Sequence, residues 1–183
     1  MSNINTINPS DATPQVQDQL NAVQKKLGAT PNIFTTMAHS PATLSFYLAG
    51  SEALAKSTLS AKLREQIALT VAQYNNCQYC LAAHSAIGKS LGLSEEAIKD
   101  ARLGHSPNAK TEAILIFAQL IVKNQGKVTP ESFAHIRKEG AKDNEITEII
   151  AVVAHNIFSN YFNIASQTEI DFPKAQCLDN CAA

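Results

Sequence analysis

Apolar residues recur every three to four positions along most of the chain, and no stretch shows period-two alternation. That spacing predicts helices, because side chains three and four apart share one face of an α-helix. The predicted helices cover residues 14–27, 31–38, 41–56, 61–74, 77–91, 95–102, 109–124, 130–139 and 144–167. Ser or Thr followed by Pro marks starts at Thr13-Pro14, Thr30-Pro31, Ser40-Pro41, Ser106-Pro107 and Thr129-Pro130, since a hydroxyl caps free N–H groups and proline suits the first turn. Gly28, Gly92, Gly104, Gly126 and Gly140 fall at or just past the ends. The predicted fold class is all-α. The 144–167 segment is apolar over a wide arc through Ile146, Ile149, Ile150, Val153, Ile157, Phe158, Tyr161 and Ile164, so it belongs in the core or against another subunit.

Polar residues 1–12 are expected to form a loosely draped, flexible leader, residues 13–173 a single helical domain, and residues 174–183 a tail carrying Cys177-x-x-x-Cys181. The 183 residues are 45% apolar and 17% charged. That is enough chain to bury a core without disulfide support, and the low charge points to surface hidden between subunits. A net charge of −1 and the lack of any basic run give no electrostatic case for nucleic acid or for an anionic membrane. The N-terminus lacks the charged and apolar regions of a secretory signal, and no apolar run approaches bilayer length. A cytoplasmic location is expected, where a C-x-x-C is catalytic or metal-binding rather than structural.

The chemistry concentrates between Glu65 and His84. Cys77, Cys80 and His84 follow the pattern C-x-x-C-x-x-x-H in a helical segment, which stacks the two thiols near a helix start and sets the imidazole one turn beyond. In one unbroken helix Glu65 would lie about 18 Å from Cys77. A break at Asn75-Asn76 removes that distance, because asparagine tolerates the left-handed conformation and caps helices. Folded back as a hairpin, the chain brings Glu65 opposite His84 and Leu69 opposite Cys80. The group then reads as a redox-active dithiol with its own acid and base. A helix N-terminus or adjacent imidazolium lowers a thiol from its ordinary pKa of about 8.5, and a second thiol closes a disulfide once the first is oxidised.

The run Glu65-x11-Cys77-x-x-Cys80-x-x-x-His84 resembles the signature of the alkyl hydroperoxidase D-like (AhpD-like) proteins of the carboxymuconolactone decarboxylase superfamily. The general resemblance spans roughly residues 15–173, including the run FSNYFNIASQTEIDFP. It implies an all-helical homo-oligomer, trimer or hexamer, that reduces peroxide without a cofactor or resident metal. Cys80 would be the peroxidatic thiol, Cys77 the resolving one, and Glu65 and His84 the proton relay. The electron donor would be a dihydrolipoamide-bearing or thioredoxin-like partner. One departure concerns Tyr79, which stands where such proteins often carry a histidine; its phenol, with an ordinary pKa near 10, is a poor second proton shuttle.

Other readings follow from the same residues. The dithiol could serve a disulfide reductase or adaptor that feeds a separate peroxidase. A decarboxylase-type lyase using His84 as base would leave both cysteines unexplained. Cys77, Cys80, Cys177 and Cys181 could together hold zinc in an interaction module. His155, inside the long apolar segment, and Tyr79 are candidates to support the site, whereas His39, His105 and His135 carry no assigned role. Lys99, Asp100, Arg102, Arg137 and Lys138 read as solvated faces. A faint repeat sets Glu65 and His84 against Glu112 and His135.

Overall fold

The structure, a computed structural model, describes residues 2–176 and 178. Among these residues it is all-α: a 3-10 turn at Pro9–Asp11, then α1 (Pro14–Leu27), α2 (Asn32–Met37), α3 (Pro41–Ala55), α4 (Ala61–Tyr74), α5 (Gln78–Ser90), α6 (Glu95–Leu103), α7 (Ala109–Lys123), α8 (Pro130–Lys138) and α9 (Asp143–Ser166). The starts lie within two residues of those read from periodicity. Two caps differ. Pro31 is itself the N-cap of α2, and α7 is capped by Asn108, which accepts the Thr111 N–H at 2.9 Å, while Ser106 accepts the N–H of Asn108.

Helix α4 is the centre of the molecule. Residues 67–72 are buried on every side because α5, α6, α7 and α9 pack around them, as expected of a helix that is apolar all round. The polar member of that run, Thr70, is satisfied by the carbonyls of Gln66 at 2.9 Å and Ala101 at 2.6 Å. One apolar cluster, including Leu69, Phe117 and Ile149, fills the space toward α7 and α9. A second, including Leu20, Met37, Leu44 and Leu81, joins α1, α2 and α3 to α5 and contains Cys77 and Cys80.

The long helix α9 departs from its apolar pattern. Its first half buries Ile146, Ile149, Val152 and Val153, but its second half turns Asn156, Ser159, Asn160, Asn163 and Ser166 inward and leaves Tyr161 and Ile164 exposed. Hydropathy misassigns these faces because apolar exposure is common, whereas a buried amide is admitted only where it finds partners. Arg102 corrects a second expectation. It is buried rather than solvated, with Nε on Gln73 Oε1 at 2.8 Å and a terminal N–H on the Gln176 carbonyl.

Segments 3–7 and 171–172 lie against this frame. The N–H of Asn3 reaches the Ser166 carbonyl at 2.8 Å and that of Ile7 the Thr35 carbonyl at 3.1 Å, so the leader satisfies acceptors in the last turns of α9 and α2. After α9, Asp171 Oδ2 accepts the Asn32 N–H at 2.7 Å and Phe172 packs edge-on against Tyr79. No helix among the described residues is long and apolar enough to cross a membrane.

Candidate active site

The α4–α5 turn folds the site together. Asn75 is right-handed and Asn76 has φ 55°, so the Asn pair reverses the chain in two residues. Cys77 becomes the N-cap of α5, its sulfur accepting the Cys80 N–H at 3.3 Å. Cys77 and Cys80 are joined as a disulfide with Cα atoms 5.3 Å apart, a separation that such a bond requires. Both residues are almost wholly buried, at a helix N-terminus that favours negative charge on sulfur.

One turn into α5, His84 Nδ1 lies 2.8 Å from Glu65 Oε2 on α4. The pair is largely enclosed, with side chains 18% and 17% exposed. In the tautomer that donates Nδ1–H to the carboxylate, Nε2 keeps the ring's lone pair. His84 and Cys80 line one cavity of about 90 Å³, walled by Phe34, Tyr47, Tyr79 and Phe172. A larger cavity of about 300 Å³, which shares Phe34, Tyr47 and His84 with the first, adds Arg64, Glu65, Ser51 and His155. The hairpin therefore brings Glu65, Cys77, Cys80 and His84 together.

Periodicity passed over three further residues. Asn163, from the buried polar face of α9, donates its Nδ2 to Cys80 Sγ at 3.3 Å, and its Oδ1 is buried without a partner among the described residues. Tyr47 and Ser51 hold His155: the imidazole stacks on the Tyr47 ring at 4.8 Å and its Nε2 lies 3.0 Å from Ser51 Oγ. Gly50 makes this approach available, since a Cβ there would fall 2.8 Å from His155 Nδ1. Desolvation, then the nearby charge of His84, lowers the His155 pKa. Burial, then the Glu65 carboxylate, pushes the Tyr47 phenol up to about 12 against the opposing Ser51 hydrogen bond. Helix-spaced Tyr47 and Ser51 and the Asn-rich run of α9 were the available signals, but none names its partner.

Tyr79 is occupied elsewhere. Its hydroxyl accepts the Ile33 N–H at 3.1 Å, and burial raises its pKa well above the ordinary value, with the Asp171 carboxylate adding to the rise. The faint repeat does not reproduce the pair either, because Glu112 bonds His105 at 3.1 Å. Cys177 and Cys181 lie outside the described residues. Among the described residues no cluster of three or more His, Cys, Asp or Glu is arranged to hold a metal ion.

Residues 41–123, from α3 through α7, match the model of the carboxymuconolactone decarboxylase family. The fold extends the likeness over nearly the whole chain. The alkylhydroperoxidase AhpD core of an uncharacterized peroxidase-related protein from Ralstonia eutropha JMP134 superposes with a TM-score of 0.85 at 24% identity, covering 93% of this chain and 92% of that one. The fold is AhpD-like, and its α3–α7 portion is similar to the carboxymuconolactone decarboxylase family. This AhpD-like chain is also similar to an uncharacterized peroxidase-related protein from Silicibacter sp. TM1040, with a TM-score of 0.78 and 26% identity over 90% and 91% of the two chains. The debrominase Bmp8, solved with 2,3,4-tribromopyrrole, shares the fold at a TM-score of 0.78 and 22% identity over 92% and 91%. No curated protein sequence matches significantly.

Proposed function

We propose that this protein is a thiol-dependent peroxidase that reduces organic hydroperoxides in antioxidant defence. The observation that carries the reading is one aromatic-walled cavity shared by Cys80 and by a His84 whose Nδ1 is held by Glu65. In the reduced dithiol, His84 Nε2 takes the Cys80 proton, and the Asn163 amide stabilises the thiolate. The thiolate attacks the terminal hydroperoxide oxygen, the O–O bond breaks, and the departing alkoxide takes the proton from His84. Cys80 is then a sulfenic acid. The Cys77 sulfur displaces water from it, giving the Cys77–Cys80 disulfide, so the dithiol supplies two electrons and one hydroperoxide becomes alcohol and water.

The aromatic walls suit an organic tail better than a bare hydrogen peroxide molecule. A dihydrolipoamide-bearing or thioredoxin-like donor would restore the dithiol. Exposed Phe46, Tyr161 and Ile164 support assembly of a homo-oligomer, trimer or hexamer, and the reducing cytoplasm is the compartment that keeps such a dithiol cycling. The same aromatic cavity favours one second reading, reductive dehalogenation of a haloarene, in which the dithiol again ends as a disulfide.

The test is a count of free thiols on reduced protein before and after one equivalent of cumene hydroperoxide, with each cysteine mapped by mass spectrometry. Rapid joint loss of the Cys77 and Cys80 thiols, abolished in Cys80→Ser, is expected. Thiols that survive hydroperoxide and oxidise with a bromopyrrole would replace the reading by the second one. Survival of both treatments, with ready exchange against a protein disulfide, would make the protein an adaptor.

A further inference from the structure

The two cysteines of the site border different spaces. Cys80 lines the aromatic cavity with His84, and Cys77 does not. Cys77, though almost wholly buried, instead borders a separate surface groove of about 210 Å³ whose lining does not include Cys80. Its walls include Asn76, Gln78, Ile164, Gln167, Thr168 and Ile170. Asn163 and Tyr79 touch both spaces and form the partition between them. None of the described residues lining the groove carries a charge.

We infer that the groove over Cys77 is the entry for the reductant, an uncharged dithiol, and that the hydroperoxide uses the other side. The inference rests on the peroxidase reading for its place in the cycle, but the geometry it uses is that of the disulfide alone. Thiol–disulfide exchange is a displacement in which the incoming thiolate, the attacked sulfur and the leaving sulfur align. A thiolate arriving through the groove meets Cys77 Sγ, so the Cys77–Cys80 bond breaks and Cys80 leaves with the electron pair. That leaving group is the better stabilised one, because Asn163 Nδ2 donates to Cys80 Sγ and His84 lines the same cavity. The donor is now bonded to Cys77. Its second thiolate attacks its own first sulfur, releasing the cyclic or bridged disulfide of the donor and the Cys77 thiolate, which takes up a proton. Two electrons have entered, and Cys80 stands as a thiolate facing the hydroperoxide. Separate entries let one site run both half-reactions without product and donor crossing.

The test starts from protein oxidised to the disulfide with diamide, so it does not depend on any peroxide being a substrate. A brief pulse of the monothiol 2-mercaptoethanol is quenched with acid, the freed thiol is alkylated, and peptides are mapped. The mercaptoethanol adduct is expected on Cys77 and the alkyl label on Cys80; the reverse pattern, or an equal split, overturns the inference. A rim variant supplies the second measurement. Ile170→Glu, in an exposed position beyond α9, should slow reduction of the disulfide by dithiothreitol about tenfold, the effect of one like charge a few ångströms from the incoming thiolate. The rate of thiol loss to hydroperoxide should stay unchanged. Equal slowing of both half-reactions, or of neither, overturns the separate entry, whereas a parent protein that ignores hydroperoxide while keeping the Cys77 adduct pattern would sink only the peroxidase reading.

Discussion

The Nδ2 of Asn163 donates to Cys80 Sγ at 3.3 Å across 83 residues of sequence, from the inward polar face of α9 to the first turn of α5. Its Oδ1 is buried without a partner among the described residues, on a side chain that lines the same cavity. An amide presented in this way stabilises the sulfur when it is charged and still has an acceptor to offer the O–H of a bound hydroperoxide. Hydrogen bonds to charged groups are worth about 1.5–3 kcal/mol. Asn163→Leu, close in volume, should therefore slow alkylation of Cys80 by iodoacetamide at pH 7 by about ten- to a hundredfold. An unaltered alkylation rate in folded variant protein would show that the amide is only a packing element.

The Glu65 and His84 side chains should behave as one unit. Removing a general base costs about 10²- to 10⁴-fold. His84→Gln is expected to lower kcat/KM for an organic hydroperoxide within that range, and Glu65→Gln to lower it less, because the imidazole remains but loses the carboxylate that orients it. The double variant should be no worse than His84→Gln alone, since Glu65 acts through the ring. Fully additive losses would mean that Glu65 has a separate role.

Tyr79 should prove structural. The phenol is committed to the Ile33 N–H and lies beside Asp171, so Tyr79→Phe strands a buried donor at a cost of about 1–3 kcal/mol. A lower thermal midpoint with an unchanged rate of hydroperoxide-driven thiol loss is expected. Tyr79→His, which would restore the histidine common at this place in AhpD-like proteins, should not raise turnover, because the position is fastened to α2. Faster turnover in that variant would show that the ring can swing into the cavity.

Most of the helical frame was legible in the sequence because its signals are local. Ser60 caps α4 through the Leu63 N–H, Ser40 caps α3 through that of Thr43, and Asn76 takes a positive φ where an asparagine pair was read as a break. The Glu65–His84 contact followed from that break by counting residues along two antiparallel helices. Asn163, Ser51 and Arg102 were not legible, and for one physical reason. Each is a polar residue whose burial depends on a partner distant in sequence, and a helical period records which side a residue faces but not what waits there. The α9 pattern even misled, because Tyr161 and Ile164 supplied apolar periodicity on a face that the structure leaves in solvent.

The His155 imidazole couples this architecture to pH. Desolvation, followed by the charge of His84, lowers its folded-state pKa below the ordinary value of 6.5. The unfolded chain therefore binds a proton that the native imidazole refuses. The stabilising contribution is complete above about pH 6.5 and is lost as pH falls toward the lowered value. The thermal midpoint of the parent should drop between about pH 7 and pH 5. His155→Phe keeps the stacking surface on Tyr47 but cannot titrate, so its midpoint should change less over the same window. Gly50→Ala offers an independent check. Its new Cβ would fall 2.8 Å from His155 Nδ1, so the ring must leave its place between Tyr47 and Ser51. That variant should lose stability at pH 7 and, with the imidazole displaced toward solvent, show a flatter pH dependence. A parent and His155→Phe with parallel pH profiles would mean that another group governs the acid limb.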